Sequence, residues 1–323
     1  MTHPVVGIDI AKQKFDVALL REAKFRTKVF ANTPAGFAQL RQWLAKFDIP
    51  SCHVCLEATG TYGEALAGFL VEAGFRVSVV NPAQIKAFGQ SQLARTKTDT
   101  ADAKLIAQFC LTMQPSVWQP APRPVRELQA YVRRLEALQD IERQELNRRA
   151  TAHESVIPSI DLVLATVQQE IQTIRRKIRD HIDRHPDLRD KSKLLDSIPG
   201  VGEATIAQIL AFLGDIRRFD HAKQAAAFTG LNPKQHQSGT SVRGKTRLSK
   251  TGSARLRKAL YMPAVVAMRY NPLLKAFAQR LKQAGKPTMV IIGAVMRKLL
   301  HIIYGVLKHN KPFDPNHGVA RSA

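Results

Sequence analysis

The chain has 323 residues, of which 45% are hydrophobic and 7% aromatic, a composition typical of globular proteins and not of disordered chains. Its 49 Lys and Arg against 26 Asp and Glu give a formal net charge of +23. A charge of that sign attracts polyanions, so nucleic acid is the expected partner and an anionic membrane is the alternative.

The sequence predicts neither a disulfide framework nor a membrane anchor. Three cysteines are too few for such a framework, and we expect Cys52 and Cys55 in a buried strand rather than in a zinc site. The N-terminus lacks the pattern of a signal peptide. The most apolar late stretch is interrupted by Arg297, Lys298 and His301, which a lipid-spanning helix tolerates poorly. We therefore expect a cytoplasmic protein that binds no membrane.

Residues 1–115 are predicted to form an α/β domain with a mixed sheet. The segments "VVGIDIA", "KFDVALLRE" and "FRTKVFANT" indicate three strands. Asp16 in the second is interpreted as a charge at the sheet edge, with a place in an acidic site as the alternative. Thr33 and Pro34 are typical of a helix start. Strands are then predicted at "SCHVCLEATG" and "FRVSVVNP", and helices at "YGEALAGFLVEAG" and "TDTADAKLIAQFCLTM". Strands followed by strand–helix alternation favour an α/β fold.

Residues 116–190 are predicted to form a proline-rich linker and a helical arm. The segment "QPSVWQPAPRPV" has four prolines in twelve residues, and because these positions have no N–H to donate to a strand ladder, a linker is predicted there. Two apolar seams follow, and Pro158 separates them. The later seam steps by three and four residues, as in a coiled coil. Because each seam needs a partner, we expect an α-hairpin or a dimerisation arm. The seams are Leu128, Leu135, Leu138 and Ile141, then Leu164, Val167, Ile171, Ile174, Ile178 and Ile182.

Residues 191–323 are predicted to form a basic helical domain. The segment "SIPGVGEATIAQILAFLGD" places a tight turn between two helices, as in a helix–hairpin–helix-like segment that presents backbone N–H groups to phosphate, although a glycine-rich helix cap has the same pattern. Residues 221–313 contain 18 Lys or Arg and no Asp or Glu. The cations predicted to bind nucleic acid are Arg243, Lys245, Arg247, Lys250, Arg255, Arg257 and Lys258.

Four acidic residues of the first domain are candidates for a metal site. Asp9 lies within the first strand, where an unpaired carboxylate is costly to bury, and Glu57 ends a later strand. Asp99 and Asp102 are three residues apart at a helix start, so both can point from one face. Four converging carboxylates are tolerated around a multivalent cation, and Mg²⁺ is the usual choice in phosphodiester chemistry. The alternative is an ordinary helix start capped at residues 98–99.

Seven motifs occur in an order that resembles a known family. They are "GIDIAKQKFDV", "LEATGTYGEALA", "NPAQIKAFGQS", "RTKTDTADAKLIAQF", "SIPGVGEATIAQILAFLGD", "AAAFTGLNPKQHQSGTSVRG" and "LRKALYMPA". Together they resemble the DEDD recombinases of bacterial insertion sequences, the insertion-sequence 110 group that includes Piv-type DNA invertases. The resemblance implies a RuvC-like, ribonuclease-H-type N-terminal domain with Asp9, Glu57, Asp99 and Asp102, a coiled-coil arm, and a C-terminal transposase domain. It also implies that Ser238 is the nucleophile.

Chemistry alone leaves the choice of nucleophile open. A serine hydroxyl attacks phosphorus only when it is activated and the charge of the phosphate is held. Ser238 lies beside Gly239 in a predicted loop with several cationic residues. Ser241 is equally well placed by this reasoning, and Thr240 nearly so. Serines in such loops are also common as simple turn residues.

The resemblance implies a Mg²⁺-dependent, site-specific DNA recombinase of a mobile element. It further implies a structured non-coding guide RNA that pairs with donor and target DNA, and dimers that pair into a tetramer. In such an assembly, domains of different subunits complete one active site. The alternatives are a Holliday-junction resolvase that uses water alone, an actin-like sugar kinase, and a non-catalytic nucleic-acid binder. The resolvase leaves the basic C-terminal half unexplained, the kinase lacks a second phosphate motif, and the binder has no use for the four acids.

Overall fold

The computed structural model describes residues 4–49, 51–58, 60–92, 98–235, 237–238, 242–243 and 246–316. The chain divides into two compact units, Met1–Pro120 and Ala121–Ala323. The second unit includes both the predicted arm and the basic helical region. The finer division at residues 115 and 190 stays a prediction.

A five-stranded mixed sheet forms the centre of the first unit. Its strands lie in the order β3-β2-β1-β4-β5. The first three strands are antiparallel neighbours, whereas β4 and β5 run parallel to β1. The mixed sheet predicted from the sequence is therefore confirmed. The strands are β1 Val5–Ile10, β2 Lys14–Arg21, β3 Lys24–Ala31, β4 His53–Glu57 and β5 Arg76–Val80.

Helices cover both faces of this sheet. They are α1 Pro34–Ala45, α2 Glu64–Glu72, α3 Pro82–Ser91 and α4 Asp99–Met113. Alternate residues of the strands point to opposite faces, and α1 and α2 pack on one face while α3 and α4 pack on the other. Thr33 caps α1, with Pro34 in its first turn, as predicted. Cys52, Cys55 and Cys110 are all buried and unbridged.

Gly7 allows α4 to lie directly on β1. A Cβ atom at Gly7 would lie 2.2 Å from the carbonyl oxygen of Ala103 and 2.2 Å from the backbone nitrogen of Ala107. Both are backbone atoms of α4, so a rotamer change cannot relieve the overlap. Because Cys110 Sγ also lies 3.7 Å from the carbonyl oxygen of His53, α4 runs back along the sheet from the end of β1 that carries Asp9.

We expect Gly7→Ala to destabilise the first unit by about 3 kcal/mol or more, the upper range for overpacking a core, because the backbone of α4 has to move. Gly68→Ala in α2 is the matched control, since a Cβ there has nothing within 4 Å and alanine favours a helix by about 0.5–1 kcal/mol. The measurement is chemical unfolding of both variants. Equal stabilities would contradict the close approach of α4.

The second unit is mainly helical, as predicted. Its helices are α5 Arg123–Thr151, α6 Ile157–Arg184, α7 Pro186–Asp196, α8 Glu203–Phe212, α9 Ala222–Phe228, α10 Ala254–Ala259, α11 Tyr261–Tyr270, α12 Pro272–Gln283 and α13 Thr288–His309. Within the described residues between α9 and α10 there are four two-residue strands: β6 Pro233–Lys234, β7 Gln237–Ser238, β8 Val242–Arg243 and β9 Arg247–Leu248. The α13 helix is long and apolar enough to cross a membrane, but 56% of its apolar window is buried inside the structure.

Helices α5 and α6 form an α-hairpin. Most of the later seam is buried, and the earlier seam is buried at Leu128 and Leu138 but exposed at Ile141. Arg149 and Asp161 form an ion pair between the two helices near the connection that joins them, with nitrogen and oxygen 2.6 Å apart. The α-hairpin alternative is therefore found. A coiled-coil or dimerising role for this arm stays a prediction.

The Pro-Gly-Val-Gly turn joins α7 to α8. Gly200 has a φ angle of +100°, and a Cβ there would lie 2.8 Å from the backbone nitrogen of Ala267 in α11. Glu203 starts α8 and lies 3.2 Å from Arg179. A carboxylate in the first turn opposes an anion at that helix end. Phosphate binding by this helix–hairpin–helix-like segment stays a prediction.

Candidate active site

Three carboxylates lie side by side on adjacent strands of the first unit. Asp9 on β1 is the direct ladder partner of Asp16 on β2. On the other side of β1, Ile8 pairs with Leu56, which places Glu57 at the end of β4 beside Asp9. Residues at paired positions share one face of a sheet. This row therefore lies on the face that α4 covers.

The first turn of α4 adds the other two predicted acids. Asp99 is the first residue of the helix and Asp102 follows one turn later. The N-cap is Thr98, whose Oγ1 accepts a hydrogen bond from the backbone N–H of Ala101 at 3.2 Å. Because Thr98 provides the cap, the carboxylate of Asp99 is not needed for it. The helix start predicted at residues 98–99 is therefore found, with Thr98 rather than Asp99 as the cap, and a metal-binding role for Asp99 stays a prediction.

Burial and the neighbouring acids together raise the pKa of Asp9. The pKa of Asp9 is raised from 3.8 to about 6, first by burial and then by the negative charges of Asp102, Asp99, Glu57 and Asp16. Repulsion of this kind requires the carboxylates to lie near one another. The structure thus brings Asp9, Glu57, Asp99 and Asp102, the acidic quartet, to one end of the sheet.

Two further residues of this region contact the acids: Lys14, which was not predicted, and Asp16, which was considered as a further member of the site but was interpreted as a sheet-edge charge. Lys14 Nζ lies 2.8 Å from Asp99 Oδ2 and 3.3 Å from Asp16 Oδ2, and its hydrogen bond lowers the pKa of Asp99. Asp16 also accepts a hydrogen bond from Thr100 Oγ1 at 3.2 Å. The interpretation of Asp16 as a sheet-edge charge is wrong, because β2 is an inner strand and Asp16 is 5% exposed.

The donor chemistry of the acidic quartet fits a magnesium ion. All four side chains offer carboxylate oxygens, which hard cations such as Mg²⁺ prefer. In the conformation that the structure describes, no three His, Cys, Asp or Glu side chains converge closely enough to hold a metal ion, within the described residues. Like charges repel, and Asp99 is turned to Lys14. For Asp99 to act as a ligand through Oδ2, it would have to exchange Lys14 for the metal.

The raised pKa of Asp9 predicts how the stability of the metal-free chain depends on pH. The folded state holds its proton up to about pH 6, whereas the unfolded state loses it near pH 4. The stabilisation is therefore complete below about pH 4 and is lost as the pH rises to about 6. We expect the stability difference between wild type and Asp9→Asn to follow this course in EDTA. Chemical unfolding between pH 4 and pH 7 checks it, and a flat difference would contradict it.

The predicted nucleophile lies in a small hairpin of the second unit. Ser238 ends β7 and pairs with Val242 of β8, so its backbone is in a strand rather than in the predicted loop. Its competitors Thr240 and Ser241 lie outside the described residues, as does Lys245. Reasoning from composition predicted a loop because two-residue strands carry no periodic signal.

The predicted nucleic-acid contacts fall into two groups. Arg247, Lys250 and Lys258 are exposed. By contrast, Arg257 donates from Nη1 to the carbonyl oxygens of Thr229 and Lys250, at 3.1 and 3.2 Å. Such contacts give Arg257 a structural role within the unit.

Arg255 is also engaged within the second unit. Its Nε lies 3.1 Å from Glu136 Oε2, and its guanidinium lies 4.3 Å from the ring centre of Phe212. A contact to nucleic acid would have to compete with this ion pair and this cation–π interaction. For Arg243, the structure describes only the backbone, in β8.

Comparison with known proteins identifies the family. Residues 6–153 match the IS110 DEDD transposase model, and residues 192–279 match that of the transposase IS116/IS110/IS902 family. Pilin gene-inverting proteins of Moraxella bovis and Moraxella lacunata are each 35% identical, covering 97% of this chain and 98% of theirs. Thermus thermophilus RuvC, solved in complex with a Holliday junction substrate, aligns with a TM-score of 0.28 and 18% identity over 36% of this chain and 98% of RuvC. The chain therefore belongs to the IS110 family of DNA transposases.

Proposed function

We propose that the chain is a site-specific DNA recombinase that cuts and rejoins DNA with a metal-binding acidic quartet and a serine nucleophile. The observation that supports this proposal is the gathering of Asp9, Glu57, Asp99 and Asp102 at one end of a sheet, where burial and then the neighbouring negative charges raise the pKa of Asp9 to about 6. A site of this charge is suited to a cation and, through it, to a phosphate. The proposal includes a RuvC-like, ribonuclease-H-type classification of the first unit.

The acidic quartet would hold Mg²⁺ at the scissile phosphate. When bound, the ion stabilises the negative charge that develops on the phosphoryl oxygens. Asp9 and Glu57, on adjacent strands, form the fixed side of the site. Asp99 and Asp102 close it from α4, with Asp99 leaving Lys14 to do so. The proton on Asp9 has to be absent for the carboxylate to act as a ligand, which favours metal binding above about pH 6.

Ser238 would conserve the energy of the broken phosphodiester bond. Its Oγ forms a bond to phosphorus, its hydroxyl proton is released, and the bond from phosphorus to one deoxyribose oxygen breaks. Attack by a deoxyribose hydroxyl on the phosphoserine then reverses the exchange and joins the new strand. One phosphodiester is exchanged for another at each step, so no external energy source is required.

The proposed partners follow from the family and from the charge of the second unit. They are donor and target double-stranded DNA, a structured guide RNA, and further copies of the chain in dimers that pair into a tetramer. The gene inversion named for the Moraxella relatives is recombination between two sites, which agrees with such an assembly. We propose a cytoplasmic location, where DNA is accessible.

Binding of DNA to the full chain should weaken steeply as salt rises, because each neutralised phosphate releases counterions. We expect Lys258→Gln on α10 to reduce the slope of log K against log salt by about one, as expected for one lost phosphate contact. Lys24→Gln, at the exposed first residue of β3, is the matched control and should leave the slope unchanged. Fluorescence anisotropy over a salt series measures this, and affinity independent of salt would contradict a phosphate-dominated surface.

The test of the proposed function is strand exchange on DNA that carries the junction of the element. The guide RNA is sought in the structured untranslated DNA that flanks the gene. Purified chain, RNA and labelled DNA with Mg²⁺ should give recombinant product and a protein–DNA adduct on a denaturing gel, and EDTA should remove both. Metal-dependent cleavage without any adduct would instead support a resolvase-like nuclease that uses water.

A further inference from the structure

Asp16 is a fifth carboxylate beside the acidic quartet, and its side chain is only 7% exposed. Both of its oxygens are engaged, Oδ1 by the hydroxyl of Thr100 and Oδ2 by the ammonium of Lys14. A buried carboxylate is tolerated only with such partners. Asp16 is thus held in one place, in the strand next to Asp9.

The two partners of Asp16 both lead to the first turn of α4. Thr100 lies in that turn, directly after Asp99. Lys14 Nζ continues from Asp16 to Asp99 Oδ2, at 2.8 Å. Two separate paths therefore tie the start of α4 to β2. The rest of α4 is held by apolar packing on the sheet. The orientation of its first turn and the distance of that turn from the sheet are therefore set by polar contacts.

The position of Asp16 has an electrostatic cost. It stands directly opposite Asp9 in the ladder, and like charges in that arrangement repel. A leucine or valine would avoid this repulsion and bury apolar surface instead. A carboxylate at this position therefore gives a less stable fold than an apolar residue would. We infer that its benefit lies in its contacts with Thr100 and Lys14.

We propose that Asp16 is a positioning residue, which holds the first turn of α4 against β2 through Thr100 and so sets Asp99 and Asp102 relative to Asp9 and Glu57. This inference rests on the proposed metal site. It assigns Asp16 no ligand role, because both of its oxygens are already engaged. It also explains the place of Lys14, which keeps Asp16 as a partner when Asp99 turns to the metal.

The test compares Mg²⁺ binding by full-length variants in isothermal titration. Thr100→Val removes only one hydroxyl and keeps every charge, and Asp16→Ala removes the carboxylate that Thr100 contacts together with one of the two partners of Lys14. We expect each to weaken Mg²⁺ affinity by about tenfold or more, the usual effect of losing a group that orients a ligand. Because both act on the same turn, the double variant should bind little worse than Asp16→Ala. Glu22→Gln, at the exposed turn after β2, removes one charge and should change the affinity less than twofold.

The outcomes separate the inference from the proposed function. Normal affinity in Thr100→Val with weaker binding in Asp16→Ala would mean that Asp16 acts only through its charge, and would overturn the inference. Loss of all binding in Asp16→Ala, as deep as in Asp9→Asn, would make Asp16 a ligand and also overturn it. Normal binding in both Thr100→Val and Asp16→Ala would overturn it as well. If the wild type binds no Mg²⁺, or if Asp9→Asn binds it normally, the metal site itself is wrong.

The Mg²⁺ concentration that gives half-maximal DNA cleavage supplies a second readout. For Thr100→Val we expect it to rise by the same factor as the dissociation constant, while the rate at saturating Mg²⁺ recovers most of its wild-type value. A misplaced ligand can be drawn into position by excess metal, whereas a damaged fold cannot. An unchanged half-maximal concentration with a reduced saturating rate would contradict a positioning role.

Discussion

We expect Asp9→Asn to abolish DNA cleavage and strand exchange while the protein stays folded. We expect the metal-bound carboxylates to stabilise the transition state by about 4 kcal/mol or more, which corresponds to about a thousandfold in rate. The same change relieves repulsion, because ionised Asp9 is disfavoured by burial and by its acidic neighbours. Metal-free Asp9→Asn should therefore unfold no more readily than the wild type above about pH 6.

Added Mg²⁺ separates this result from a general loss of structure. The ion should raise the melting temperature of the wild type and leave that of Asp9→Asn unchanged, since only the wild type binds it. Asp48→Asn is a matched control. Asp48 is exposed and has a φ angle of +53°, a conformation that asparagine tolerates equally well. We expect wild-type activity from this control, and cleavage by Asp9→Asn at the wild-type rate would refute the metal hypothesis.

The other members of the acidic quartet should behave like Asp9. Glu57→Gln, Asp99→Asn and Asp102→Asn each remove a proposed ligand and should abolish activity. If Asp99 served only the helix start, its loss would cost about 1 kcal/mol of stability with activity preserved. The cap formed by Thr98 makes even that cost smaller.

Ser238→Ala should eliminate the covalent protein–DNA adduct and leave DNA and RNA binding near normal. No oxygen remains at that position to attack phosphorus. The loss of binding is small because residues 221–313 retain all 18 cationic side chains. The measurement is a denaturing gel with labelled junction DNA, together with binding assays on the same preparation.

Ser241→Ala is the matched control for the nucleophile. We expect a smaller loss of activity and a retained adduct, because this residue would act only through the shape of the hairpin or a lost hydrogen bond. An adduct that survives in Ser238→Ala but vanishes in Ser241→Ala would move the nucleophile by three residues. An absent adduct in the wild type, with clean cleavage, would favour hydrolysis by water.

The sequence alone determined most elements of the first unit, although helix α3 at Pro82–Ser91 was not predicted, and it singled out the four acids that the fold brings to one end of the sheet. The alternation of apolar and polar residues with a period of two and the helix start at Thr33 and Pro34 are local signals. They depend only on residues that are neighbours along the chain. The family motifs also depend on order along the chain only. For these reasons the mixed sheet, the helical second unit and the family were all predicted correctly.

Only the tertiary structure decided the surroundings of the acids. The register of β1 on β2, which places Asp16 opposite Asp9, depends on which face of the strand is buried, and a shift by one residue would turn Asp16 to the other face. The contact from Lys14 to Asp99 joins residues 85 positions apart. The hydrogen bonds from Arg257 to the carbonyl oxygens of Thr229 and Lys250 also form only when the chain folds. Such contacts depend on how β2 and α4 pack against one another, and a pattern read along the chain does not contain that information.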